Sequence, residues 1–125
     1  MSLTNFEKVS NFQSEILHRH SPSRALMTRH KLRELHCLSE ELLELSTAMM
    51  QDDVVGAADA IADLIYFAYG LAYQMGLPMD EIFGAVHEAN MAKQKGKTKR
   101  GHEDDAAKPV DWVDPKITIT RILGQ

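Results

Sequence analysis

Apolar residues recur every three or four positions along most of the chain, a period that predicts helices. Phe6, Val9, Phe12 and Ile16 mark a first amphipathic helix over roughly 4–18. The stretch HRHSPSRALM, polar with one proline, reads as a connection. A second helix over about 29–50 carries the apolar stripe Leu32, Leu35, Leu38, Leu42, Leu45 and Met49. QDDVV then supplies a short turn in which Asp52 or Asp53 can cap the next helix. The third helix, AADAIADLIYFAYGLAYQM over 57–75, is apolar on every side and stops at Gly76. A helix of that kind is surrounded by other helices. Three further helices of a small subunit just suffice to cover it, and a dimer covers it more completely.

Pro78 suits the first turn of a fourth helix over about 78–93, carrying Ile82, Phe83, Val86 and Met91. The segment KGKTKRGHEDDAAKPVDW is too polar for a core and reads as a charged loop. In the tail, DPKITITRIL, alternating Ile and Thr suggests a strand, whereas Asp114 before Pro115 suggests a capped helix start. The helix is preferred because no other segment offers the tail a strand partner. The expectation is a single all-α domain over 1–125. It is an antiparallel bundle of four main helices plus a short C-terminal helix, with 95–113 a basic, polar loop and tail, assembled as a dimer or a dimer of dimers.

Composition narrows this picture. At 125 residues the chain gains from burying more surface in an oligomer. A net charge of −4 gives no case for nucleic acid or an anionic membrane as partner. Cys37 is the only cysteine, so no internal disulfide forms and a reducing cytoplasm is the simplest location. The start, MSLTNFEKVS, has no apolar signal core, and Asp59 and Asp63 interrupt the apolar run, so neither export nor a membrane span is expected.

Those two aspartates carry the chemistry. Four residues apart, they project from one face of a helix otherwise suited to burial, and no Lys or Arg lies within the run. The second helix holds Glu40, Glu41 and Glu44 within about a turn. Folding the third helix back on the second can set Glu41 and Glu44 opposite Asp59 and Asp63. Burying such charges unpaired costs several kcal/mol each, roughly, or forces protonation. A hard divalent cation removes the conflict, and Mg2+, with oxygen ligands and retained waters, suits the donor set; Mn2+ is a substitute. On its own, EExxE most often marks a solvated helix face, and Asp59 alone suits a first turn favoured by the helix dipole. Neither reading accounts for Asp63, between Ala62 and Leu64 two turns in. Di-iron chemistry needs Glu-x-x-His pairs, and the second, third and fourth helices have none; His36 and His87 lack that partner.

At the far end of the fourth helix Asn90 and Lys93 share a face, and Lys95, Lys97, Lys99 and Arg100 follow. A basic run is usually a solvated segment, but beside a metal site it can clamp a polyphosphate. No G-x-x-x-x-G-K-[ST] occurs, so phosphate binding would fall to metal and side chains. Lys108 and Trp112, in KPVDW, either close over a nucleotide or anchor the tail.

Together these residues resemble the all-α nucleoside triphosphate pyrophosphohydrolases, the superfamily of MazG, the dimeric dUTPases and phosphoribosyl-ATP pyrophosphohydrolase. The likeness rests on EELLE, Asp63-Leu64-Ile65-Tyr66, Tyr69-Gly70, Asn90 to Lys93, and Lys108-Pro109 with Trp112 and Pro115, over about 35–116. It implies a helical homodimer or homotetramer and Mg2+-dependent cleavage between the α and β phosphates of a nucleoside triphosphate, giving a monophosphate and pyrophosphate. By position it makes Glu41, Glu44 and Asp63 metal ligands, and Glu40 a ligand or the base that orients water. Asn90 and Lys93 become substrate contacts. One departure stands out: the second motif is usually Glu-x-x-Asp, and Ala60 occupies the Glu position, with Asp59 one residue earlier. Two alternatives follow. One is a non-catalytic helical nucleotide-binding or regulatory dimer, for which Ala60 argues. The other is a true phosphoribosyl-ATP pyrophosphohydrolase, ranked lower because the Lys-rich tail with its tryptophan looks more like the nucleotide house-cleaning branch.

Overall fold

Thr4 opens the first helix with a reciprocal cap. Its hydroxyl accepts from Glu7 N at 3.1 Å and Glu7 Oε1 accepts from Thr4 N at 2.7 Å. A computed structural model describes residues 2–96, 98, 101 and 105–124. Its elements are α1 (Asn5–Glu15), α2 (Arg29–Met50), α3 (Val54–Gln74), α4 (Met79–Met91), β1 (Gln94–Gly96), β2 (Asp105–Ala107) and α5 (Pro115–Ile122). The chain is thus all-α apart from one small hairpin. It divides into two compact units, residues 1–79 and 80–125.

In the first unit α1 and α2 both pack on α3. The α2–α3 turn is as short as its sequence predicts. Asp52 takes a left-handed φ of 57°, and Asp53 caps α3 by accepting from Gly56 N at 2.9 Å. At the far end of this hairpin Gln74 meets Glu34, so the two helices run antiparallel. Helix α1 ends three residues earlier than expected, because His18 adopts a left-handed φ of 53° and turns the chain. That turn carries Arg19 back towards α2. Phe6 stacks on Tyr69 at 5.6 Å and Phe12 meets Tyr66 edge-on at 5.4 Å, fixing α1 on α3.

The core differs from the sequence pattern. Among the described residues of this unit, the buried apolar side chains are small ones, Val9, Ala48, Ala60 and Ala72. Gln13, Lys31, Glu34 and Gln74 are buried with them. The α2 stripe does not face this core: Leu32, Leu35, Leu42 and Met49 are exposed, and only Leu38 and Leu45 are half-buried. Helix α3 is long and apolar enough, by length and composition, to cross a bilayer, yet 11% of that span is buried. Ile61, Ile65, Val54 and Val55 stand open on it. Helices α1 and α2 thus leave much of α3 uncovered.

In the second unit β1 and β2 pair antiparallel, Lys95 opposite Ala106, inside the segment expected to be loop. The short strands find their partner within the same polar segment, so the tail is free to form α5. Asp114 caps that helix by accepting from Lys116 N at 2.9 Å, with Pro115 in its first turn. Lys97, Lys99 and Arg100 of the basic run lie outside the described residues.

A candidate acidic site on the α2–α3 hairpin

Glu41, Glu44, Asp59 and Asp63 form one electrostatic group. Glu41 and Glu44 lie one turn apart on α2, Asp59 and Asp63 one turn apart on α3, and antiparallel packing sets the pairs against each other. The Glu41 carboxyl is pushed from 4.5 up to about 7. Burial is the largest cause, followed by the hydrogen-bonding approach of Glu44 and the negative charges of Glu44, Asp63 and Asp59. Asp63 is raised as well, by burial first and then by Asp59 and Glu44. Although Glu41 as a residue is half-exposed, its Oε2 is sealed from solvent and has no hydrogen-bond partner. Burial first, and then three neighbouring carboxylates, explain the shift.

Asp59 is not a capping residue. Asp53 caps α3, which begins at Val54, so Asp59 sits more than a turn inside the helix. Ala60, at the position where the superfamily pattern has glutamate, is buried at 2% exposure. A longer acidic side chain there would face packed protein, whereas Asp59 reaches the cluster electrostatically.

Glu40 stands beside the group. It does not contribute to the Glu41 shift, and its Oε1 lies 2.8 Å from His36 Nε2 one turn earlier. The contact with His36 was not foreseen, though the i, i+4 spacing holds the signal.

The donor set is all carboxylate, which suits a hard divalent cation such as Mg2+ or Mn2+, and the orphaned Glu41 oxygen is the atom such an ion would satisfy. Among the described residues no three His, Cys, Asp or Glu side chains converge tightly enough to hold an ion as they stand. The four sense one another but repel, so closing a ligand set requires rotation of the outer carboxylates, Glu44 and Asp59, both exposed.

The remaining predicted residues belong to the second unit. Trp112 donates its indole N–H to Ala89 O at 2.6 Å, which ties the tail to α4. Lys108 Nζ lies 4.8 Å and Lys93 Nζ 5.4 Å from the centre of its ring. Trp112 therefore anchors the tail and gathers two lysines on its faces. Asn90 is exposed at the end of α4, where its carbonyl accepts from Lys93 N at 3.1 Å.

The family described as phosphoribosyl-ATP pyrophosphohydrolase matches residues 4–90, which include α1, α2, α3 and most of α4. The chain belongs to this family, part of the MazG-like all-α superfamily, and is by class a pyrophosphohydrolase. No curated protein matches the sequence significantly.

Proposed function

We propose that the protein is a Mg2+-dependent pyrophosphohydrolase that cleaves the α–β bond of nucleoside triphosphates, releasing a monophosphate and pyrophosphate, and that it cleanses the cytoplasmic nucleotide pool. The observation that carries this reading is the carboxylate group around the sealed Glu41 oxygen. Glu41, Glu44 and Asp63 hold the cation, with Asp59 in place of the glutamate that Ala60 replaces. When bound, the cation supplies Lewis acidity towards phosphate oxygens and lowers the pKa of a coordinated water. Glu40, oriented by His36, accepts the proton of the attacking water. Lys93 and Lys108 offer cationic contacts to polyphosphate, with Asn90 as a polar one.

Self-association belongs to the same proposal. The exposed Leu35, Leu42 and Met49 of α2 and Ile61 and Ile65 of α3 support it, since large apolar side chains open to solvent suit an interface. A second copy of the chain covers them in a homodimer or homotetramer.

The family description favours a second reading, phosphoribosyl-ATP as the substrate. Purified protein, Mg2+, a panel of nucleoside triphosphates and phosphoribosyl-ATP, assayed for pyrophosphate, separate the two. Turnover of one or more triphosphates supports the first reading, and turnover of phosphoribosyl-ATP alone supports the second. Absence of pyrophosphate from every compound overturns both and leaves a non-catalytic nucleotide-binding dimer.

A further inference from the structure

A cleft of about 350 Å³ opens at the other end of the α2–α3 hairpin, where the connection after α1 crosses the start of α2 and the end of α3. Its polar wall is formed by His18, His20, His30, Arg19 and Lys31, with three Ser and Thr hydroxyls among them, and no Asp or Glu among the described residues lines it. This lining is independent of the acidic group. Lys31 and Glu41 are ten residues apart on α2, roughly 15 Å along the helix.

Lys31 is the informative residue. Only 4% of it is exposed, and its ammonium donates to Ser23 O at 2.6 Å, to Ser23 Oγ at 3.2 Å and to Ala25 O. All three acceptors are neutral. Its hydrogen bonds are satisfied, but its charge is not. Glu34, one turn on, is engaged elsewhere: its Oε1 lies 2.9 Å from Arg19 Nη1 and 3.6 Å from Arg33 Nη1. Arg19 and Lys31 both line the cleft, and the one carboxylate beside them, Glu34, is paired with arginines. A buried ammonium with no direct ion pair among the described residues is costly, and an anion in the cleft would offset that cost. The start of α2 adds to this field. Thr28 occupies the N-cap but its side chain caps no amide, so the positive end of the helix is open.

We infer that this cleft is a phosphate-binding site separate from the acidic group. Its volume exceeds that of a bare phosphate, so the anion arrives free or as part of a small phosphorylated molecule. Lys31 contributes charge, because its protons are already used. The histidine rings, hydroxyls and helix amides contribute the hydrogen bonds.

The test is histidine-resolved NMR titration of the intact chain in EDTA, where the acidic group cannot recruit phosphate through a metal. Failure here therefore leaves the proposed hydrolase activity untouched. Inorganic phosphate, pyrophosphate, a nucleoside monophosphate and an unphosphorylated nucleoside are added at constant ionic strength. Saturable movement of the His18, His20 and His30 ring signals with the phosphorylated probes is expected, and the tightest of them identifies the carrier. The combined substitution His20→Ala and His30→Ala, at two exposed positions, is expected to weaken binding several-fold while leaving the fold unchanged. Lys31→Met, with folding checked by circular dichroism, is expected to abolish it. Signals that move equally with chloride, that follow the nucleoside as well as its phosphate, or that titrate identically in the double histidine variant would overturn the inference.

Discussion

Glu34 and Glu41 lie seven residues apart on α2, two turns along the same face, and each leaves one buried oxygen, Oε2, without a partner. Their surroundings are opposite. The other oxygen of Glu34 receives Arg19 at 2.9 Å and Gln74 Nε2 at 3.2 Å, so it belongs to a network reaching from the connection to α3. Gln13 of α1 joins through Arg19 and Gln74, and Tyr73 donates its hydroxyl to Arg19 O at 2.7 Å. Around Glu41 stand Glu44, Asp59 and Asp63, with no cation among them. The first carboxylate is neutralised by the protein and holds the helices together. The second is surrounded by like charges, which is the basis of the cation site proposed above. Burial alone would have ranked the two together; what faces each carboxylate distinguishes structure from function.

The largest expected effect is on turnover. Glu41→Gln or Asp63→Asn should lower pyrophosphate release by at least about 10³-fold while the fold survives. Near wild-type activity in either variant would sink the site assignment. In metal-free protein Glu41→Gln should raise the melting temperature, since it removes a repelled charge.

Glu34→Ala should do the reverse. Leaving Arg19 without its carboxylate is expected to cost about 3 kcal/mol in chemical denaturation. A neutral result would mean that the two ends of the hairpin do not differ as described. Gly70 supports the same network. A Cβ there would sit 2.6 Å from Gln13 Nε2 and 3.3 Å from Glu34 Oε2, so Gly70→Ala should destabilise by about 1–2 kcal/mol and spare the acidic end. This close approach also explains why glycine follows Tyr69 in an otherwise regular helix.

On the open apolar face, Leu42→Lys with Ile65→Lys should shift the protein towards monomer in sedimentation at micromolar concentration. Wild-type protein that is already monomeric there would refute the proposed self-association.

The smallest effect is a pH slope. The Glu41 carboxyl is pushed from its ordinary 4.5 up to about 7 in the folded chain, so between these limits the folded chain keeps a proton the unfolded chain has lost. Its contribution to metal-free stability is thus fully present below about 4.5 and disappears as pH rises through 7. Asp63, also raised, acts in the same direction. Melting temperatures in EDTA should fall over this range, and less steeply in Glu41→Gln. Cation affinity, measured by calorimetry, should rise over the same range as the proton is displaced.

Much of this was legible before any coordinates. The second helix, the capped α3 and α5 and the two same-face carboxylate pairs follow from period, caps and i, i+3 or i, i+4 spacing, all of which are local. The α2 stripe shows where such reasoning stops. Leu35, Leu42 and Met49 have a core-facing period, but that pattern says only that they suit burial, and the folded chain leaves them exposed. The polar network was equally hidden, because Gln13, Arg19, Glu34 and Gln74 come from separate segments with no spacing to link them.

The sequence by itself determined which segments are helices and that Asp59 and Asp63 share a face, since each depends on neighbours within a few residues; α3 begins at Val54, three residues before the apolar run at 57. Tertiary structure decided the meaning of the charges. Only packing sealed the Glu41 oxygen, put Arg19 against Glu34 and buried Lys31 away from any carboxylate of its own, because the energy of a charge depends on what surrounds it in space.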